Sequence, residues 1–199
     1  MTLRPALLDG RRVAVAGPGT AGTAGTAAAA AVERAIVGRL RTLGAWAEVV
    51  AADALLDEDA AAGWVRGRAP LHALLFLAGE PFGEGGADRL QETLELAWRS
   101  ARAIAGGQLI ESGEGGRLLF VTPRAGTGPH DEAARAGLEN LARTLSVEWA
   151  RFAITAVAIT PGSTTSEAEL ADLTAFLLSA AGGYFSGCRF SLGEVGAAR

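Results

Sequence analysis

At 199 residues the chain is long enough for one domain with a substantial core, and short for two. Its net charge of −4, without blocks of like charge, gives no basic field and argues against a nucleic-acid partner. The single cysteine, Cys188, excludes an internal disulfide framework and fits a reducing cytoplasm.

The opening stretch "MTLRPALLDGRR" has no signal-peptide core, and no apolar run reaches membrane-spanning length. Apolar runs predict strands at "RVAVA" (12–16), "AEVVA" (47–51), "HALLFLA" (72–78), "RLLFVT" (117–122), "ITAVAIT" (154–160) and "CRFSL" (188–192). Helix-like segments alternate with them over 27–43, 55–67, 86–105, 132–150 and 166–180. Buried runs without period-two alternation, separated by helices, predict a parallel sheet covered on both faces. The expected fold is therefore α/β: a Rossmann-like, doubly wound parallel sheet in a single domain over 1–199.

Between the first strand and the first helix lies "AGPGTAGTAGTAAAAA" (16–31), which reads G-T-A three times. By position this is where a nucleotide phosphate sits in such folds, with Gly17 and Gly19 as the first glycines. A P-loop reading fails, because no lysine precedes a serine or threonine. The whole chain lacks lysine; all 18 basic residues are arginine. No Schiff base, lysine acid/base or phosphate-binding lysine is possible. Tyr184 and Asn140 are the sole residues of their types, and His72 and His130 the two histidines.

Helix 132–150 carries two faces at 100° per residue. Ala134, Leu138, Leu141, Ala142, Leu145 and Trp149 form one. Ala133, Ala136, Gly137, Asn140, Thr144 and Val147 form a second, smaller-sided one. The second face implies close packing against another helix, of this chain or of another subunit. Segment 86–105 carries a similar stripe that includes Trp98 and reads as core.

At these residues the chain resembles the short-chain dehydrogenase/reductase family, especially its 3-oxoacyl reductase-like members. "RAGLENLARTLSVEWARFAITAVAITPG" (135–162) is similar to the family's Lys-Ala-Gly-Leu helix, strand and Pro-Gly. "LHALLFLAG" (71–79) resembles the strand ending Asn-Asn-Ala-Gly, and "GRLLFVTPRAG" (116–126) the strand ending in the catalytic serine. "GGYFSGCRFSLG" (182–193) resembles the closing Tyr-x-x-Gly segment and last strand.

Carried over residue by residue, the resemblance implies lost chemistry. The family's lysine falls on Arg135, its tyrosine on Asp131, its serine on Pro123 and its asparagine near Thr93. The Asn-Asn pair becomes Phe76-Leu77. Arginine does not reproduce the geometry or acidity of lysine, a carboxylate is ionised where a phenol is not, and proline has no hydroxyl. The family's cofactor loop spans six residues from first to last glycine. Here the last glycine falls on Glu33, sixteen residues after Gly17, which puts bulk and negative charge at a pyrophosphate position.

Replacement chemistry is thin. Asp131 reads as a helix N-cap, His130 as a solvated loop histidine, Thr122 as a strand end and Cys188 as a small buried hydrophobe. Asp53 could hold an adenosine ribose or be a solvated loop residue. No metal-ligand spacing is present. Against the family, one strand–helix unit is missing between "RVAVA" and "LHALLFLAG", and the substrate lid after Pro161-Gly162 is absent. The resemblance thus implies a non-catalytic subunit with no cofactor. It would pair as a hetero-dimer or hetero-tetramer with an active paralogue in the cytoplasm. Trp98, Ala136, Gly137, Asn140, Thr144 and Val147 would lie at the contact, with "CRFSL" as a second one. The alternatives are an active NAD(P)-dependent oxidoreductase with a rearranged site at His130, Asp131 and Arg135, and a ligand-sensing regulator. The G-T-A loop is expected to fill or drape over the vacated cofactor site.

Overall fold

The computed structural model describes residues 3–18, 27–55, 57–68, 70–79 and 86–193. Strand β1 (Arg12–Ala16) leads to helix α1 (Ala27–Thr42), strand β2 (Trp46–Val49), a 3-10 turn (Ala52–Leu55) and helix α2 (Glu58–Arg66). Then follow β3 (Ala73–Leu77), α3 (Gly86–Ile104), a π turn (Ala105–Leu109), the short α4 (Ile110–Ser112) and β4 (Gly116–Val121). Helix α5 (Asp131–Glu148), strand β5 (Ile154–Pro161), helix α6 (Glu167–Leu178) and strand β6 (Arg189–Leu192) complete the chain.

The six strands form one parallel sheet in the order β2-β1-β3-β4-β5-β6. Parallel neighbours need crossovers, and the helices supply them. Strand alternation sends Ala14, Leu74, Phe76, Leu118, Phe120 and Ala156 to one face, against α2, α3 and α5. It sends Val13, Val15, Leu75, Leu119, Val121 and Val157 to the other, against α1 and α6. Both faces are buried, so the strands read as unbroken apolar runs. The expected doubly wound sheet is present.

One strand, β2, lies between β1 and β3 in sequence and forms a sheet edge, which fits a chain one strand–helix unit short. The amides of Trp46 and Val50 donate to Arg11 and Val15, so the Ala47 carbonyl points away from β1. Arg41 covers that carbonyl, donating from Nε at 3.2 Å and Nη2 at 2.8 Å. A covered edge resists pairing with another chain.

Boundaries move where local chemistry intervenes. The segment expected as one helix over 55–67 splits, because the Asp57 carboxylate accepts the Ala60 amide at 2.8 Å and restarts the helix at Glu58. The segment expected to end at 105 runs on to Ser112 through the π turn. There Gly107 lets the backbone approach Val65, and the Gln108 side chain accepts the Leu71 amide at 3.2 Å. Among the described residues no helix is long and apolar enough to cross a membrane.

Candidate functional site

The carboxyl ends of β1, β3, β4 and β5 lie side by side, the usual place for a ligand in an open α/β sheet. Gly17 follows β1 and is buried there. A Cβ at this position would stand 2.0 Å from the Leu77 carbonyl oxygen, so only glycine fits. The sequence reading treats Gly17 as a loop glycine left from a cofactor site; the structure gives it a packing role between two strand ends. Gly19 and the G-T-A triplets to residue 26 lie outside the described residues.

Above these ends, between α1 and α6, is a narrow cleft open to solvent. Val32 and Glu33 of α1, Leu77, Thr122, Arg124 and Leu170 of α6 help to line it. Glu33 is half-buried in the cleft wall. Burial against apolar neighbours pushes its carboxyl above the ordinary carboxylate range, and the charge of Arg34 partly offsets this. Arg124 is the cleft residue that sequence reasoning missed. Its one available signal was a cation two residues beyond a strand end. Its guanidinium donates to the carbonyls of Thr165 and, at 3.4 Å, Gly162, and stands 3.9 Å from the Glu167 carboxylate.

The β4–α5 junction brings together Pro123, Asp131 and Arg135, three of the four positions that the resemblance singles out. Arg135 is buried, and its Nη1 donates to the Pro123 carbonyl at 3.0 Å and the Pro161 carbonyl at 2.8 Å. It staples the carboxyl ends of β4 and β5. Its Nε stands 3.4 Å from the Glu132 carboxylate. Asp131 is buried too, and its carboxylate accepts the amides of Thr127 at 2.9 Å and Glu132 at 2.6 Å. Pro123 contributes only its carbonyl, which also accepts the Thr122 hydroxyl at 3.2 Å. The fourth position, Thr93, is fully buried in α3, where its hydroxyl donates to the Arg89 carbonyl at 2.9 Å. Arg135, Asp131 and Thr93 thus each bond to backbone groups, and Arg135 also faces the Glu132 carboxylate.

Several sequence expectations are corrected. The N-cap of α5 is His130, half-buried and without a side-chain cap bond; Asp131 is the first helical residue. Cys188 is exposed rather than buried, because it precedes an edge strand that pairs on one side only. Of the two readings of Asp53, its exposed position in the 3-10 turn fits the solvated one. As the sequence leads one to expect, only a short turn separates Pro161 from α6, which opens on a Ser166–Glu169 capping box.

On the outer face of the α3–α5 pair the arrangement differs. Gly137 meets Leu94 of α3, where an added Cβ would be 2.8 Å from Leu94 Cδ2, so its smallness is used within this chain. Ala136, Asn140, Thr144 and Val147 are exposed, Val147 at 76%. Trp98 is 43% exposed and stacks on Trp149 with ring centroids 6.2 Å apart. Among the described residues no His, Cys, Asp and Glu cluster could hold a metal.

No protein-family model matches the chain, and no curated protein matches it. Solved structures do. A citronellol catabolism dehydrogenase of Pseudomonas aeruginosa is 24% identical, with a TM-score of 0.74 and 96% of each chain covered. A putative NAD(P)-dependent gluconate 5-dehydrogenase of Beutenbergia cavernae, with NADP bound, is 20% identical at a TM-score of 0.71, covering 94% of this chain and 97% of that one. A short-chain type dehydrogenase/reductase of Mycobacterium marinum is 16% identical at 0.73, covering 93% and 94%. At such identities what is common is architecture: the chain has the Rossmann-like α/β fold of short-chain dehydrogenases.

Proposed function

We propose that the chain is a non-catalytic subunit of the short-chain dehydrogenase/reductase type, similar to 3-oxoacyl reductases, which assembles with an active member and supports it in the cytoplasm. The observation that carries this reading is Arg135. Its guanidinium holds the carbonyls of Pro123 and Pro161 and so is spent on joining two strand ends. An active member needs a cation at that position to act on a cofactor and a phenol. Here neighbouring Asp131 is likewise tied to two backbone amides, and the chain has no lysine.

The exposed small-sided face of α5 and the exposed edge of Trp98 would form the contact, as a hetero-dimer or hetero-tetramer. Aromatic and small-residue packing would dominate its energy. The test is co-expression with an active paralogue from the same operon. The two should co-purify, and this chain alone should turn over no ketone or 3-oxoacyl substrate with NADH or NADPH. Micromolar NAD(P) binding with turnover would instead establish a working oxidoreductase with a rearranged site. A second reading, a ligand-sensing regulator, draws on the open cleft between α1 and α6.

A further inference from the structure

The cleft between α1 and α6 has a polarity of its own. Its walls are mainly apolar, with Val32, Leu77, Val121, Pro161 and Leu170 among them. Among the described residues three side chains bring polar atoms to it: Glu33, Thr122 and Arg124. Two are committed to the protein. The Thr122 hydroxyl donates to the Pro123 carbonyl at 3.2 Å. The Arg124 guanidinium is shared among the carbonyls of Thr165 and Gly162 and the Glu167 carboxylate. The Glu33 side chain, by contrast, makes no hydrogen bond or close ion pair among the described residues.

An unpaired carboxylate in an apolar wall repels a second anion and favours a cation that can donate hydrogen bonds to it. A dinucleotide pyrophosphate would meet that repulsion with no lysine anywhere in the chain to offset it. A ligand with an apolar body and one ammonium group satisfies both features at once. Its body gains from leaving water, and its head completes Glu33 in a charge-assisted bond. We propose that this cleft binds a small apolar molecule carrying one primary ammonium group, with Glu33 as its counter-ion, and does not hold NAD(P).

The charged groups around Glu33 fit this assignment. Arg34 is its neighbour on α1. Arg124, which also lines the cleft, is shared with Glu167 of α6, and Arg39 of α1 pairs with Asp172 of α6 at 2.7 Å. Burial holds the Glu33 carboxyl above its ordinary range, and an ammonium ligand would draw it back down. Binding of an alkylamine should therefore strengthen as pH rises through the Glu33 titration, while the amine stays protonated.

The inference rests on the proposed function in one respect, the absence of a working cofactor in the cleft. The experiment titrates the full chain with n-hexylammonium, n-hexanol, hexanoate and NADPH, read by calorimetry and thermal shift. Hexylammonium should bind at least about tenfold more tightly than hexanol or hexanoate, the discrimination expected of one charged hydrogen bond. Glu33→Gln should erase that preference without lowering the melting temperature. Should that variant not fold, the pH series on the unmodified chain decides: affinity that does not rise through the carboxylate range overturns the proposal. Hexanoate binding as well as hexylammonium, or unchanged amine binding to Glu33→Gln, also overturns it. Micromolar NADPH binding without turnover defeats this inference and leaves the subunit reading standing. Failure to co-purify with any active paralogue defeats the subunit reading and leaves this one.

Discussion

Helix α5 serves two regions that treat their side chains in opposite ways. At its first turns, Asp131 and Arg135 are buried; the Asp131 carboxylate accepts backbone amides, and Arg135 donates to two backbone carbonyls and faces the Glu132 carboxylate. Along its outer face, Ala136, Asn140, Thr144 and Val147 are exposed, and Trp98 of the neighbouring α3 is partly so. The 3.6-residue period lets one helix do both. The difference follows from burial: a polar side chain removed from water must find a partner within the protein, and an exposed one need not. At the sheet end Arg135 joins two strand ends, while the outer face of the same helix keeps its accessible surface.

Four measurements can break or sharpen that contrast. The largest effect is expected at the sheet end itself. Gly17→Ala places a Cβ 2.0 Å from the Leu77 carbonyl, which must force two strand ends apart. A loss of about 3 kcal/mol is expected by urea denaturation. A cost under about 1 kcal/mol would show that the β1 end is pliable.

Arg135→Met should cost about 2 kcal/mol, because two buried carbonyls lose their charged donor while weaker contacts remain. A neutral result would mean that the staple is not structural, and would weaken the contrast from the junction side. Trp98→Ala tests the other region. It removes a partly exposed stacked ring, so the fold should lose about 1 kcal/mol, while co-purification with the active paralogue should be lost. Unchanged co-purification would move the contact elsewhere.

The smallest effect concerns pH. The folded chain holds the Glu33 carboxyl above its unfolded value, so the folded state binds more protons there and its stability falls as pH rises through that range. Glu33→Gln should remove this dependence and give a small rise in melting temperature at neutral pH that disappears in acid. A lower melting temperature at neutral pH would mean that the ionised carboxylate has a favourable contact.

Much of the fold was legible in the chain. The strand runs at "HALLFLA" and "ITAVAIT" are apolar at both parities because both sheet faces are covered. Helix α5 showed its faces by spacing alone. Boundaries were less legible where a side chain restarted or extended a helix, as Asp57 does for α2 and the π turn does after α3. The site was legible only in part. Its losses could be read at Pro123, Asp131 and Arg135, but not the uses to which those residues were put. Cys188 was misread because its apolar company in sequence does not report that β6 is an edge strand.

By itself the sequence determined the secondary-structure alternation, the two-faced burial and the absence of lysine chemistry, since these depend on residue type and local period. Tertiary structure alone decided the strand order, the contact of Gly17 with Leu77 and the bonds of Arg135 to carbonyls 12 and 26 residues away. It also decided that Glu33 and Arg124 line the same cleft. Such partners are fixed by the packing of the whole sheet, and no local pattern in the chain encodes which carbonyl a buried guanidinium will meet.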